Sequence, residues 1–271
     1  MKKLSVEDGP AFVALMRHYV VDYTNRHDQS ETESIMEPDY VLRMGDHVVL
    51  GRDDAYRTAT ASQLEQFPGL MLTVHEIVTS GERLAMRFSE HGASRTHGGS
   101  LCSWGGIGLY SWNGRRLVSN FVEQDYLSRR EQLAAGRANP VESPALAPWD
   151  TDAQAPEPIA ERITRAWLDS GAVAATPGVL LDDQWISKHA APLIDQRSIE
   201  LNDLFSCGAS VAFHATQRGT LRLDDTKEAG AATPAFLHMA GLVHIRAGRV
   251  ASGRVIRNRL DFVRRSKSLN R

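Results

Sequence analysis

Leu72-Thr73-Val74-His75-Glu76-Ile77-Val78-Thr79-Ser80-Gly81 runs on through Leu84-Ala85-Met86 to Gly92, and Ile199-Glu200-Leu201-Asn202-Asp203-Leu204-Phe205-Ser206-Cys207-Gly208 runs on through Val211-Ala212-Phe213 to Gly219. The two stretches align without a gap. Gly81 falls on Gly208, Ala85 on Ala212 and Gly92 on Gly219, with apolar residues on apolar residues between them. A register kept over that length marks an internal duplication of one domain. A turn followed by a strand recurs later in each copy, Trp112-Asn113-Gly114-Arg115-Arg116-Leu117-Val118 against Arg246-Ala247-Gly248-Arg249-Val250-Ala251. The strand that follows carries Glu123 and Asp125 in the first copy, but Ile256, Arg257 and Asn258 in the second. The first copy therefore reads as the chemical one and the second as structural.

Length and charge agree with two small domains. A chain of 271 residues fits two units near the common size of about 100 to 150 residues. The net charge is −2, and the bases are scattered rather than gathered into a stripe with interleaved aromatics, which argues against nucleic acid as a partner. The one local basic excess, Arg254 through Arg265, Lys267 and Arg271, reads as a solvated last strand and tail. The 2 cysteines, Cys102 and Cys207, fall in different copies, which favours free thiols in a reducing compartment. Met1 to Pro10 lacks an apolar signal core, and no run approaches the roughly 20 apolar residues of a membrane span. The expectation is a soluble cytoplasmic protein without membrane contact.

The segment 136–158 holds Pro140, Pro144, Pro148, Pro156 and Pro158, a density that blocks helices and sheet ladders and predicts an extended linker between domains at 1–135 and 159–271. In the first copy, Val6 to Arg26 reads as an amphipathic helix, with a short helix from Ser30. Tyr40 to Met44 and His47 to Leu50 form a strand pair, Asp53 to Gln66 a helix, and four strands follow at about 70–79, 83–91, 100–112 and 116–126. In the second copy a helix is expected at Ile159 to Ser170, a strand at Trp185 to Ser187 and a shrunken helix at about Pro192 to Arg197. Helices followed by antiparallel strands give an α+β class, and a long helix laid across a curved sheet encloses an apolar pocket.

Along Leu117 to Tyr126, period-two alternation puts Phe121, Glu123 and Asp125 on one face and Val122, Gln124 and Tyr126 on the other. A carboxylate buried beside Phe121 would have a raised pKa and become a usable base. Trp104, Tyr110 and Trp112 sort onto one face of their strand, as core or as the wall of an aromatic pocket. Gly105-Gly106-Ile107-Gly108 precedes no helix and is no phosphate cradle. His214, His238 and His244 lack a matching carboxylate to complete a metal set and are read as core or pocket wall.

The pattern Gly114, Arg116-Leu117, Phe121 and Asp125 resembles the final strand of the SnoaL-like polyketide cyclases within the nuclear transport factor 2-like superfamily, which have Trp at the position of Phe121. The stretches Leu72 to Val78 and Gly81 to Phe88 resemble that family's strand pair, and Arg95-Thr96-His97-Gly98-Gly99 its Thr-His-x-Gly element. The resemblance implies two tandem cone-shaped, cystatin-like α+β barrels. It implies Asp125 as general base, with Glu123 as its local rival, and either His91 or His97 as the pocket histidine, His97 preferred. Tyr23-Thr24-Asn25-Arg26-His27-Asp28 resembles the Tyr and Asp that the first helix supplies in the dehydratase branch, so Tyr23 and Asp28 join the candidates, with Asp28 also readable as a turn or cap residue. Trp104, Phe121, Tyr110 and Trp112 are the substrate-binding candidates. The implied activity needs no cofactor and no metal: a lyase, isomerase or cyclase abstracting a proton from an apolar, aromatic or polycyclic small molecule. The alternatives are a small-molecule-binding module and a scaffold in which the tandem pair stands in for a dimer as an intramolecular pseudo-dimer, with further homo-oligomerisation left open.

Overall fold

The alternation of apolar residues from Leu72 to Phe88 gives two strands that bury side chains on both faces, and this decides the architecture around them. The computed structural model describes residues 3–183, 191–222 and 233–269, the last three by backbone alone. In the first domain β1 (Met36–Met44), β2 (His47–Leu50), β3 (Met71–Thr79), β4 (Arg83–Ser94), β5 (Ser100–Trp112) and β6 (Leu117–Gln124) form a sheet of order β2-β1-β6-β5-β4-β3. All neighbours are antiparallel except β1 and β6, which run parallel. Helix α1 (Gly9–His18) begins with Pro10 in its first turn, where a missing N–H is harmless, and buries Phe12, Val13 and Met16 on the sheet. It continues as a wider, π-type turn over Tyr19–Thr24, closed by the Asn25 N–H on the Val20 carbonyl at 2.9 Å. A short α2 (Thr32–Ile35) precedes β1, and α3 (Arg57–Gln66) follows a second wide turn at Gly51–Tyr56. Helix α4 (Tyr126–Ala135) leaves β6 and stops at Gly136, whose φ of +63° a side chain would disfavour.

The second domain repeats this plan. Helix α5 (Pro158–Asp169) leads to β7 (Val179–Leu181), β8 (Ile194–Cys207), β9 (Ser210–Leu221), β10 (Pro234–Arg246), β11 (Arg249–Arg257) and α6 (Arg259–Leu269). The sheet order is β7-β11-β10-β9-β8, with β7 parallel to β11 as β1 is to β6. Gly81 and Gly208, aligned in sequence, both turn their hairpins with positive φ. The expected strand at Trp185 to Ser187 lies outside the described residues. The expected helix over Pro192 to Arg197 is instead the start of β8, paired with β9 from Ile194 onward. Six residues are too few to hold a helix alone, whereas the β9 edge offers a ladder.

One face of each sheet packs on its own helices; the other packs on the sister sheet. Ala85, Ile107, Leu109 and Phe121 meet Phe205, Cys207, Ala212, Ala240, Leu242 and Ile256 in one apolar cluster. The segment between the domains follows the β3 edge: Ala145 N–H donates to the Val74 carbonyl and Gln154 N–H to the Thr79 carbonyl, both at 2.9 Å. The basic strand end is not solvated as expected. Arg254, Arg257 and Arg259 are buried, with carboxylate partners in Glu142, Asp182 and Asp125. Those carboxylates, from the linker, the second domain and the first, make burial of the guanidinium groups tolerable.

Candidate functional site

Between the wide turn of α1, α3 and the inner face of the first sheet lies a cavity of about 360 Å³. Its rings are Tyr19, Tyr23, Tyr56 and Tyr126, and its apolar wall includes Leu42, Met44 and Val49 from the β1–β2 hairpin. Leu84, Met86 and Phe88 alternate along the inner face of β4, and the next residue of that series is Glu90. It stands opposite Leu72 on β3 and Trp104 on β5. A carboxyl at a position that apolar residues otherwise occupy is therefore carried into the cavity wall, where it is 7% exposed.

Gln63 of α3 donates through Nε2 to Glu90 Oε2 at 2.6 Å. Burial pushes the Glu90 carboxyl up to about 7, against the opposing influences of the Gln63 bond, the Arg129 charge and the Trp104 indole. Burial likewise raises Tyr19, Tyr23, Tyr56 and Tyr126, so these phenols stay neutral donors. The Tyr23 hydroxyl finds no partner at hydrogen-bonding geometry among the described residues. Trp104 Nε1 donates to Gln124 Oε1 at 2.6 Å, which orients the Gln124 amide at the wall. Arg129 lies over Tyr126 at 4.2 Å, Trp104 at 4.9 Å and Phe67 at 5.6 Å, a cation held on an aromatic platform at the cavity. The glycines of β5 make room for the rings beneath. A Cβ on Gly106 would lie 2.5 Å from the Phe88 ring.

Most of the residues singled out in the sequence lie elsewhere. Phe121, Glu123 and Asp125 do share one face, but it faces the second domain; Val122, Gln124 and Tyr126 face the cavity. Asp125 is fully buried, caps α4 by accepting from Ser128 N–H at 3.2 Å, and binds Arg259 through both oxygens at 2.5 and 3.2 Å. Burial and the neighbouring Asp182 carboxylate push Asp125 up, with Arg259 opposing. Glu123 Oε1 lies 2.9 Å from His214 Nε2, and Phe121 stacks on the His214 ring at 4.7 Å. β6 is an interior strand with both faces covered, so a carboxylate beside an apolar ring could be buried on either one.

His97 is exposed on a turn, its Nδ1 3.0 Å from Ser94 Oγ, and His91 meets Thr73 Oγ1 at 2.8 Å on the face of β4 opposite Glu90. Asp28 is exposed and caps the following turn by accepting from Ser30 N–H at 3.0 Å, a contact that lowers its carboxyl pKa. Tyr110 belongs to the core, and Trp112 stacks on Phe12 at 4.6 Å and donates to the Gly81 carbonyl. Trp104 touches the cavity through Gln124. Of the ten candidates, Tyr23 alone lines it.

Glu90, Gln63, Gln124 and Arg129 escaped the sequence reading. The signal for Glu90 was present, as a charged residue in an apolar period-two series. The gap-free register places Gln217 across from it in the second copy. Gln217 lines the second domain's own cavity of about 340 Å³ and donates to Gln196 at 3.0 Å. One copy has the acid and the other its neutral isostere. Among the described residues no three His, Cys, Asp or Glu converge in a way that could hold a metal, and no helix is long and apolar enough to cross a membrane.

Residues 16–120 match the SnoaL-like domain family. Solved structures similar to about half of the chain include a provisionally assigned SnoaL-like polyketide cyclase from Jannaschia sp. CCS1, 14% identical, at a TM-score of 0.43 over 50% of this chain and 96% of that one. A provisionally assigned polyketide cyclase from Acidithiobacillus ferrooxidans is 15% identical, at 0.41 over 45% and 94%. AclR, a provisionally assigned hydroxylase from Streptomyces galilaeus, is 21% identical, at 0.41 over 48% and 98%. No curated protein matches the chain significantly.

Proposed function

We propose that this chain, whose first domain is SnoaL-like, is an acid–base enzyme that uses Glu90 to move a proton on a small enolisable molecule. The observation that carries the reading is the Glu90 carboxyl itself: buried, on the wall of a cavity of about 360 Å³, and raised to about 7. A carboxyl balanced near neutrality can take a proton from carbon and return it, and efficiency is greatest when its pKa lies near the working pH. Neutral phenols are suited to the oxyanion that forms, and the Tyr23 hydroxyl, without a partner at hydrogen-bonding geometry among the described residues, is the best placed to donate to it. The tyrosine rings and Leu42, Met44 and Val49 favour a planar, largely apolar ligand. Arg129 adds a preference for one bearing an acidic group or a delocalised anion. Isomerisation, dehydration and aldol-type cyclisation all begin with this proton transfer, and the same residues serve each.

The test is deuterium incorporation in D₂O from a panel of aromatic β-dicarbonyl acids, followed by mass spectrometry. Enzyme-dependent incorporation that rises through about pH 7 and is lost in Glu90→Gln supports the reading. Equal incorporation by Glu90→Gln and the parent protein rejects it. The competing reading of a non-catalytic binding module would give ligand binding with no incorporation from either protein.

A further inference from the structure

The turn that joins β1 to β2 is gripped from both sides by one continuous hydrogen-bonded chain. Gly45 N–H donates to Glu123 Oε1 at 2.7 Å, and the same oxygen lies 2.9 Å from His214 Nε2. His214 Nδ1 lies 3.1 Å from Asn202 Oδ1, to which the Thr216 hydroxyl also donates at 3.1 Å. Thr216 Oγ1 lies 2.9 Å from His238 Nδ1, and His238 Nε2 lies 2.9 Å from Asp46 Oδ1. The other Asp46 oxygen accepts from Arg265 at 2.9 Å. The chain leaves the turn at Gly45, crosses β8, β9 and β10 of the second domain, and returns to the turn at Asp46. Asn258 closes over the turn so tightly that a Cβ on Gly45, whose φ is +55°, would lie 2.5 Å from its Nδ2.

We propose that the second domain is a positioning element for the first domain's cavity, holding the β1–β2 turn through Glu123 and His214 on one side and Asp46 and His238 on the other. This rests on the reading of that cavity as the active site, because the strands held by the turn supply Leu42, Met44 and Val49 to its wall.

Both rings are enclosed by side chains of the two domains. His214 faces Glu123, Asn202, the Phe121 ring, which Arg43 covers at 5.4 Å, and His238, whose ring is 6.1 Å away. His238 faces Asp46, Thr216 and the edge of Phe236, over which Arg265 and Arg218 lie.

One measurement on the full chain tests this without any substrate, so its failure is separable from failure of the proposed reaction. Hydrogen–deuterium exchange of the 42–50 segment, corrected for intrinsic rate, is compared in the parent protein, Asp46→Asn and His238→Gln. Each variant is expected to exchange this segment about tenfold faster, the effect of losing a charge-assisted hydrogen bond, while β5 is unchanged. The side chain of Asp46 is 56% exposed, so that variant is the safer folder. Unchanged exchange at 42–50 in both variants overturns the positioning role.

Discussion

Replacing Glu90 by glutamine should change stability in a way that depends on pH and on nothing else at the site. The side chains are nearly isosteric, and the amide can still accept from Gln63, so packing is preserved. In the parent protein the carboxyl titrates at about 7 against an ordinary 4.5. Because the folded value is raised, the neutral form is the one the fold favours. Stability from this group is full below pH 4.5 and falls as pH rises toward 7, where the unfolded chain is ionised and the folded one is not. Above both values the loss is complete at about 3 kcal/mol, taking 1.36 kcal/mol per pKa unit. The amide has no such slope. Urea unfolding followed by tryptophan fluorescence, at intervals from pH 4.5 to 8.5, should therefore show the variant gaining on the parent protein by about 3 kcal/mol across that range. Other titrating groups cancel in the difference when they do not couple to Glu90. A difference that stays flat with pH, or that runs the other way, refutes the claim that burial has raised this carboxyl, whatever the cavity proves to bind.

Other outcomes follow from the interface and the turns. Asp125→Ala should destabilise the protein by about 1.5 to 3 kcal/mol in urea, since it removes one of the two buried carboxylates on Arg259 and leaves Asp182 at 3.2 Å; no measurable loss would contradict the interface role. Gly81→Ala should lower stability far more than Gly98→Ala. Both have positive φ, worth about 1 kcal/mol each, but a Cβ on Gly81 would lie 1.8 Å from the Ser5 carbonyl oxygen whereas nothing lies within 4 Å of one on Gly98. Equal melting temperatures for the two variants would count against the packing of the N-terminal segment. Burial pushes the thiol of Cys102 up to about 11 and that of Cys207 up to about 12, so at pH 8 roughly one molecule in a thousand or fewer carries the thiolate. Iodoacetamide should label them only on unfolding, and stoichiometric labelling of the native protein within minutes would be the contrary result.

What was legible in the sequence was the part written by periodicity. The duplication, the strands from Met71 to Gln124, the first helix and the tandem α+β plan all rest on patterns that neighbouring residues enforce on one another. The alternation that grouped Phe121, Glu123 and Asp125 was equally sound. Which side of β6 that group would face was not in the pattern, because both sides are buried and the choice depends on where a second sheet, far along the chain, comes to rest. The same distance effect hid the burial of Arg254, Arg257 and Arg259, whose carboxylate partners lie dozens of residues away. Glu90 was readable in principle, as the one acid in the run Leu84, Met86, Phe88 and Glu90. A lone Glu near a strand end is commonly solvated, and only α3 folding over it with Gln63 makes it otherwise.

Joining the two domains in one chain frees their shared surface from symmetry. In a twofold dimer of identical subunits, every residue that reaches across must meet whatever its own twin offers, so acid and base have to appear together on each copy. Here Asp46, Glu76 and Glu123 stand on one domain and His238, His244 and His214 on the other, each carboxylate opposite its own histidine. Such sorting by side is closed to identical subunits and open to a fused pair. With the partner permanently tethered, the union does not weaken on dilution, which leaves one half free to shape a cavity while the other specialises in holding it.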